Sequence, residues 1–309
     1  MHQKPFALQF PGQGSQVVGM GAALYANSPA AAGVFDRADD VLGVPLSELC
    51  FAGPEDALND TFNTQPALLT TSIAALRAFQ EREGGDPAFV AGHSLGEFSA
   101  LVAAGSLRFE DALYVVRERG RLMAEAGALS PGGMAAVIGL EADRVADACA
   151  QARAATGGTA GVANDNCPGQ VVVSGDEETL QLAMAHLQDA GARRVIRLAV
   201  SIPAHSPLMA DAADQFRRVL DAIPFSPPRV PVVTNATARP VDDPQALREV
   251  LGRQLISPVR WTESVAWMVA QGVERFVEVG PKDVLTGLLR RIDRSVEGQT
   301  VAQVLGVEV

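Results

Sequence analysis

Several residue types and sequence features are scarce in this chain of 309 residues, and each shortage excludes a class of protein. The three cysteines, Cys50, Cys149 and Cys167, are odd in number and widely spaced, which indicates neither a disulfide framework nor a metal site and favours a reducing compartment. No run approaches the ~20 apolar residues of a membrane span, and residues 1–10 do not form a signal peptide. We therefore expect a cytoplasmic protein with no metal and no membrane partner.

Positive charge is scarce as well. Lys and Arg number 25 against 36 Asp and Glu, so the net charge is −11 at pH 7. This balance argues against a nucleic-acid or anionic-membrane partner recognised through bulk electrostatics. Lysine is confined to Lys4 and Lys282, and we interpret the preference for arginine as a coding bias and not as phosphate recognition.

Apolar residues are abundant: they make up 48% of the sequence, against 20% charged residues, and suffice for a large core. Short apolar runs bounded by Gly, Pro and Asp alternate with amphipathic stretches of helical length, a pattern typical of an α/β fold with a largely parallel sheet. Residues 131–200 instead predict the order βαββαβ of a ferredoxin-like subdomain. We expect it to be inserted into a larger domain formed by residues 1–130 and 201–309, with a cleft between the two.

The most informative motif lies at positions 92–96, which read Gly-His-Ser-Leu-Gly. This G-x-S-x-G pattern forms a nucleophile elbow when a strand precedes it and a helix follows, because small residues on both sides of the serine permit a sharp turn. Residues 89–91 predict that strand, and residues 95–104 predict that helix. Ser94 is therefore a candidate nucleophile in an α/β-hydrolase-like domain. The alternative is a glycine-bounded turn in which Ser94 only caps a helix.

A nucleophilic serine needs a base within hydrogen-bonding reach, and the four histidines are the candidates. His2, at the terminus, and His186, on a polar helix, are expected at the surface. His93 adjoins Ser94, so its side chain should diverge from that of the serine, and it is the second choice. His205 leaves a strand and opens a helix, and a helix N-terminus keeps a histidine neutral. The residues alone leave open whether His205 is the base or a capping or buried histidine.

Arg119 is the most informative charged residue. It lies on a helix predicted over residues 110–126, where its spacing puts it on one face with apolar residues. An arginine on a buried face needs an anionic partner, and no acidic residue of the same helix shares that face. A substrate carboxylate would serve, and an ion pair with a distant Asp or Glu is the alternative. The apolar residues on this face are Ala112, Val116 and Met123.

Together these features resemble the malonyl-CoA:acyl-carrier-protein transacylase family, over almost the full chain. Seven segments match the family in order, which is far more specific than one motif. They are residues 10–16, 64–69, 92–97, 119–120, 168–172, 253–255 and 278–281. The resemblance implies that Ser94 is the nucleophile and His205 its base, with the histidine held by a backbone carbonyl near Gln254 in place of an aspartate. It also implies an oxyanion hole formed by the backbone N–H groups of Gln13 and Leu95.

The resemblance also implies a substrate-binding set. Arg119 would form a bidentate pair with the malonyl carboxylate, and Gln65 and Gln254 would belong to the same site. Asn164 or Asn166 matches a family asparagine near the thioester. The choice between the two is open, and we include Asn166 in the predicted site.

The function implied by the resemblance is ping-pong transfer of malonyl from malonyl-CoA to the phosphopantetheine thiol of an acyl carrier protein, supplying fatty acid synthesis. The CoA thioester is the substrate, no cofactor is bound, and a monomer is expected. One alternative is an acyltransferase that serves a polyketide synthase, with malonyl or another extender unit, because residues 202–204 do not match the selectivity pattern of polyketide relatives. An acyl hydrolase on the same elbow and a non-catalytic carrier-binding scaffold are the others.

A carrier-binding face is a further expectation. Carrier proteins of these pathways are acidic, so a local basic surface is needed despite the net negative charge of the chain. The candidates are Arg193, Arg194, Arg197, Arg260 and Lys282.

Overall fold

A computed structural model describes residues 5–83, 85–129 and 131–309. These residues form two sheets surrounded by helices. The strands are β1 (Phe6–Phe10), β2 (Phe89–Gly92), β3 (Gly132–Ile138), β4 (Ala160–Cys167), β5 (Gln170–Asp176), β6 (Arg194–Arg197), β7 (Val232–Val233), β8 (Pro240–Val241), β9 (Val259–Arg260), β10 (Arg275–Glu278) and β11 (Glu297–Thr300). The helices are α1 (Ala22–Asn27), α2 (Pro29–Leu42), α3 (Leu46–Ala52), α4 (Glu55–Asn59), α5 (Thr61–Arg82), α6 (Gly96–Ala103), α7 (Phe109–Leu129), α8 (Ala142–Thr156), α9 (Glu177–Asp189), α10 (Ala210–Asp221), α11 (Pro244–Gly252), α12 (Trp261–Ala270), α13 (Val284–Ile292) and α14 (Val301–Leu305), with 3₁₀ turns at Pro207–Met209 and Gln254–Ile256.

The first sheet has the strand order β11-β10-β1-β2-β7-β8. All neighbouring strands are parallel except β7 and β8, which pair antiparallel. Every residue of β1 is buried, as expected for a central strand of a parallel sheet covered on both faces. The carboxyl ends of β1, β2 and β7 therefore lie side by side, and such an edge is where open α/β sheets place their ligand sites.

The second sheet has the order β6-β3-β5-β4-β9. Its first four strands are antiparallel and, together with α8 and α9, form the βαββαβ arrangement expected of a ferredoxin-like subdomain. The fifth strand, β9, pairs parallel with β4 and comes from the part of the chain assigned to the larger domain. The predicted subdomain thus has an additional strand that the local sequence pattern did not reveal, since β9 contains only two residues.

Several boundaries differ from the sequence-based expectation. The helix expected to begin at Thr64 begins at Thr61, because the side chain of Asp60 accepts a hydrogen bond from the N–H of Phe62 at 2.8 Å. The hydroxyl of Thr64 instead donates to the carbonyl of Leu58. The division into domains at 130/131 and 200/201 stays a prediction, since Ser130 lies outside the described residues. So do His2 and Lys4.

Close packing between β1 and the turn after β2 positions the candidate nucleophile. A Cβ atom added to Gly96 would lie 2.0 Å from the carbonyl oxygen of Phe10, and one added to Gly92 would lie 1.9 Å from the backbone carbon of Gly96. Neither position has space for a side chain. The two glycines of the motif are therefore required by the approach of β2 to α6 and of α6 to the end of β1. Within the described residues, no helix is long and apolar enough to cross a membrane.

Replacing Gly96 by alanine tests this packing. Gly96→Ala is expected to lower the free energy of unfolding by about 1–3 kcal/mol, because the backbone of the first strand must move away from the new methyl group. Urea denaturation followed by circular dichroism measures the change. Gly287→Ala is the matched control: it is an exposed position inside α13 with nothing within 4 Å of an added Cβ, so this change should raise stability by about 0.5–1 kcal/mol. Equal effects of the two changes would contradict the packing argument.

Candidate active site

Ser94 lies at a sharp turn between β2 and α6, with a left-handed backbone (φ 50°) that a serine rarely adopts. Asn235 supports this conformation. Its Oδ1 accepts a hydrogen bond from the N–H of Ser94 at 2.7 Å, and its Nδ2 donates to the carbonyl of Gly92 at 2.6 Å. The turn is thus a nucleophile elbow in which one buried amide offsets the cost of the strained residue.

His205 is the histidine next to the nucleophile. Its Nε2 lies 2.9 Å from the Oγ of Ser94, while its Nδ1 lies 3.0 Å from the carbonyl oxygens of both Gln254 and Ser257. Because carbonyl oxygens only accept hydrogen bonds, Nδ1 carries the proton and Nε2 offers its lone pair to the serine hydroxyl. The structure therefore brings Ser94, His205 and the Gln254 carbonyl together in the arrangement that the family resemblance implied.

Burial keeps His205 neutral. The side chain is 5% exposed, and this loss of hydration, together with the positive charge of Arg119, lowers its pKa to about 3. The sequence suggested neutrality for a different reason, the N-terminus of a helix. The residues after His205 form only a three-residue 3₁₀ turn before α10 begins, so removal from water is the dominant cause.

Arg119 lies beside the nucleophile and is 1% exposed. Its Nη2 donates to the Oγ of Ser94 at 3.1 Å, its Nε to the Oε1 of Gln254 at 3.0 Å, and its Nη1 to the Oε1 of Gln65 at 2.9 Å. All three acceptors are uncharged, and no ion pair among the described residues includes Arg119. Burial lowers its pKa to about 10, so the group is still a cation at neutral pH.

The loop after β1 packs against the elbow. The N–H of His93 donates to the carbonyl of Phe10 at 2.9 Å, and a Cβ added to Gly12 would lie 2.4 Å from the carbonyl oxygen of His93. The backbone N–H groups of Gln13 and Leu95 donate to no acceptor in the part of the chain that the structure describes. This arrangement is compatible with the predicted oxyanion hole, whose assignment to these two groups stays a prediction.

Asn166 and His93 form a pair at the wall of the site. The Nε2 of His93 lies 2.8 Å from the Oδ1 of Asn166, and the His93 ring packs edge-on against Trp261, with centroids 5.6 Å apart. His93 thus supports the elbow, as expected, and His205 occupies the position of the base. The hydrogen bond to His93 favours Asn166 over Asn164 as the asparagine of the site, and its contact with substrate stays a prediction.

The expected basic face is not one surface. Arg193, Arg194 and Arg197 lie in or next to β6, at one edge of the second sheet, whereas Arg260 lies in β9 at the opposite edge. Four strand spacings of ~4.8 Å separate the two edges by roughly 19 Å. Lys282 is elsewhere, where its Nζ donates to a backbone carbonyl of the loop after β1 at 3.2 Å. The prediction of a single patch was wrong because distances along the sequence do not reveal the order of strands.

Comparison with known proteins follows the same direction as this geometry. The acyl transferase domain family matches residues 9–308. The chain is 45% identical over 306 residues to the malonyl CoA-acyl carrier protein transacylase of Bacillus subtilis, with 98% of the chain and 95% of that protein covered. It is 48% identical over 287 residues to the transacylase of the same name from Salmonella typhimurium, with 93% and 92% covered. The chain belongs to the malonyl CoA-acyl carrier protein transacylase family.

Solved structures of such transacylases superpose closely. The acyl carrier protein S-malonyltransferase of Vibrio cholerae has a TM-score of 0.94 at 45% identity, with 99% of the chain and 98% of that structure covered. A malonyl-transacylase solved in complex with a type II PKS acyl-carrier protein has a TM-score of 0.93 at 44% identity, with 96% of both covered. The α/β fold, with a larger parallel-sheet unit and a smaller ferredoxin-like one, is thereby confirmed.

Two residues of this transacylase site were missed by sequence reasoning. Asn235 follows β7, whose neighbour β2 carries the nucleophile, and a polar residue at the carboxyl end of an adjacent parallel strand is a usable signal. Glu97 is the only acidic residue of α6, a short and otherwise largely apolar helix, and this contrast could have drawn attention to it. Its carboxylate accepts hydrogen bonds from the N–H of Asn235 at 3.0 Å and from the Nε2 of Gln254 at 2.5 Å.

The low pKa of His205 has a measurable consequence. Phenylmethylsulfonyl fluoride, which reacts with activated serines, should label Ser94 at a rate that changes less than about twofold between about pH 5 and about pH 8, because the base is neutral throughout. A histidine with the ordinary pKa of about 6.5 would lose roughly 30-fold in rate over that range. His205→Ala is the control and should label much more slowly at every pH. A rate that falls steeply below about pH 6.5 would contradict the assignment.

Proposed function

We propose that the chain transfers a malonyl group from malonyl-CoA to the phosphopantetheine thiol of an acyl carrier protein, through an ester on Ser94. The observation that carries the proposal is the surroundings of the Ser94 Oγ, which lies 2.9 Å from the Nε2 of His205 and 3.1 Å from the Nη2 of Arg119. A nucleophile with a neutral base on one side and a buried cation on the other fits an acyl group that itself bears a carboxylate. The names of the relatives agree with this chemistry.

The first half-reaction loads the enzyme. The Nε2 of His205 takes the hydroxyl proton of Ser94 as Oγ attacks the thioester carbonyl of malonyl-CoA. The N–H groups of Gln13 and Leu95 stabilise the oxyanion of the tetrahedral intermediate. When the carbon–sulfur bond breaks, the proton on Nε2 goes to the departing CoA sulfur, which leaves malonyl-Ser94 and free CoA.

The second half-reaction reverses these steps with a different thiol. The Nε2 of His205 takes the proton of the carrier's phosphopantetheine thiol as its sulfur attacks the ester carbonyl. The bond between that carbon and the Oγ of Ser94 then breaks, and Nε2 returns the proton to Oγ. Free enzyme and malonyl-carrier result. The CoA thioester is thus a substrate, and neither half-reaction uses a bound cofactor.

Arg119 has the donors that a substrate carboxylate needs. A guanidinium carries five N–H groups, one on Nε and two on each terminal nitrogen. Gln254 occupies the Nε group, while Gln65 and Ser94 occupy one group each on Nη1 and Nη2. One N–H therefore stays available on each terminal nitrogen, and this pair matches the two oxygens of a carboxylate in a bidentate contact.

The carrier protein can belong to either of two pathways. The transacylase relatives of Bacillus and Salmonella are named for the acyl carrier protein without further qualification, which agrees with a supply of malonyl units to fatty acid synthesis. The structure of a relative with a type II PKS acyl-carrier protein favours polyketide synthesis as the second candidate. Transfer rates to one carrier of each pathway would decide between them.

Intact-protein mass spectrometry tests the covalent step. After incubation with malonyl-CoA and no carrier, the protein should gain the mass of one malonyl group, and peptide mapping should place it on Ser94. Ser94→Ala should gain nothing. Addition of a carrier protein should remove the group and transfer it to the carrier thiol. Continuous release of free malonate without a carrier would contradict transfer and support the hydrolase alternative.

Arg119→Ala tests the carboxylate contact. Loss of a buried partner for a charged group costs about 3–5 kcal/mol, so kcat/KM for malonyl-CoA should fall by roughly 10²–10³-fold, while that for acetyl-CoA should fall much less or rise. Arg121→Ala is the matched control on the same helix, since Arg121 pairs with Glu118 and Glu125 at the surface and should leave both substrates unaffected. Equal losses for the two substrates in Arg119→Ala would count against the contact.

A further inference from the structure

Glu97 is a second buried charge next to the reacting serine, and the proposed chemistry does not use it. It lies on the first turn of α6, and it is 1% exposed. One of its carboxylate oxygens accepts a hydrogen bond from the backbone N–H of Asn235 at 3.0 Å, and the other accepts one from the Nε2 of Gln254 at 2.5 Å. Both donors hold Ser94 as well: Asn235 through its side chain, and Gln254 through a hydrogen bond from Nε2 to the Ser94 carbonyl at 2.9 Å.

Only an ionised carboxylate can make these two contacts at once. Each of its oxygens is an acceptor, whereas a protonated carboxyl or a carboxamide has an acceptor on one side and a donor on the other. The N–H of Asn235 is part of the backbone and cannot turn away. The side-chain amide of Gln254 can rotate by half a turn, so a change at Glu97 acts on Gln254.

The amide of Gln254 connects Glu97 to Arg119. With its Nε2 directed at Glu97, its Oε1 accepts the N–H of the Arg119 Nε at 3.0 Å. If the amide turned over, its Nε2 would face the Arg119 Nε, and two donors would oppose each other in a buried site. The guanidinium would then lose one of the three contacts that orient it.

We propose that the ionised carboxylate of Glu97 is a positioning residue that fixes the orientation of the Gln254 amide and thereby holds Arg119 ready for acid-bearing acyl groups. Glu97 contacts neither substrate nor the reacting atoms. The inference rests on the proposed malonyl transfer, since it concerns the choice of acyl group at the same site.

The charges around Glu97 make this orientation sensitive to pH. Burial raises the pKa of Glu97 to about 7, although the hydrogen bonds from Gln254 and Asn235 and the charge of Arg119 oppose the rise. Arg119, on α7, is the cation that acts on it. The two histidines of the site add no positive charge at this pH, because burial lowers the pKa values of His93 and His205.

Protonation of Glu97 and its replacement by glutamine should have the same effect. In both cases the remaining acceptor stays with the fixed N–H of Asn235, and a donor faces Gln254, which must turn its Oε1 toward position 97. Arg119 loses its acceptor in consequence. Because Glu97 is ionised above its pKa, the correct orientation is present at higher pH and is lost as the pH falls through about 7.

Single-turnover acyl loading, with malonyl-CoA and acetyl-CoA compared in each variant, tests the proposal. In Glu97→Gln the second-order rate constant for malonyl loading should fall roughly tenfold or more, and that for acetyl loading less than about threefold, because only the former depends on Arg119. An unchanged ratio of the two constants in a folded variant would overturn the proposal.

Glu278→Gln is the matched control. Glu278 is 0% exposed and its two oxygens accept hydrogen bonds from the backbone N–H groups of Leu285 and Thr286, at 2.9 Å and 2.7 Å, so the substitution disturbs an equally buried carboxylate. Neither donor belongs to the site. Its ratio of malonyl to acetyl loading should stay at the wild-type value, and a drop equal to that of Glu97→Gln would show a general effect of destabilisation and overturn the proposal.

The pH profile of the unmodified enzyme gives an independent readout. Malonyl loading should decline between about pH 8 and about pH 6 while acetyl loading is unchanged, and in Glu97→Gln malonyl loading should be low and flat across that range. A wild-type profile in which both substrates behave alike would overturn the proposal even if the variant failed to fold. The double variant Glu97→Gln with Arg119→Ala should be no worse for malonyl than Arg119→Ala alone, and additive losses would also overturn it.

The two levels of inference fail separately. If the wild-type protein never forms malonyl-Ser94, the proposed function is wrong. If it forms malonyl-Ser94 and Glu97→Gln keeps the wild-type preference for malonyl, the function stands and the role of Glu97 is refuted.

Discussion

A guanidinium as deeply buried as that of Arg119 needs acceptors for its N–H groups, since each buried donor without a partner costs about 1–3 kcal/mol. Three separate segments supply them: Gln65 on α5, Gln254 after α11 and Ser94 at the elbow. None carries a charge. The positions of these segments are thus tied to one cation, and the cation keeps both its charge and a pair of N–H groups for an incoming carboxylate. The same contacts that stabilise the buried arginine therefore prepare the site for its substrate.

The orientation of His205 by carbonyl groups follows from the same environment. A carbonyl of Gln254 or Ser257 fixes the tautomer of the ring as well as an aspartate would, but it brings no negative charge that would raise the pKa of the histidine. Burial and the neighbouring Arg119 then dominate, and the base is neutral well below pH 7. Glu97 is the group whose pKa of about 7 lies in the physiological range, so the pH response of the site moves from the base to the residue that orients the arginine.

Much of the site could be predicted because its signals are local. The G-x-S-x-G pattern needs only a strand before it and a helix after it, and both are visible as apolar runs in the sequence. The buried face of Arg119 follows from a spacing of three and four residues along one helix. The remaining assignments, Gln13, Leu95, Gln65 and Asn166, came from the family resemblance and not from periodicity. Contacts of Asn235 and Glu97 escaped both, because each joins elements far apart in the chain.

By itself, then, the sequence determined the class of fold, the βαββαβ order of the second sheet, the elbow at Ser94 and the direction in which Arg119 faces. Each of these depends on patterns within a few residues or a few elements. The tertiary structure decided which histidine reaches Ser94, that Asn235 and Glu97 brace the elbow, that β9 joins the second sheet, and that the arginines of β6 and β9 lie at opposite edges. The physical reason is that these contacts depend on the order of strands and the course of the connections between them, which no local periodicity encodes.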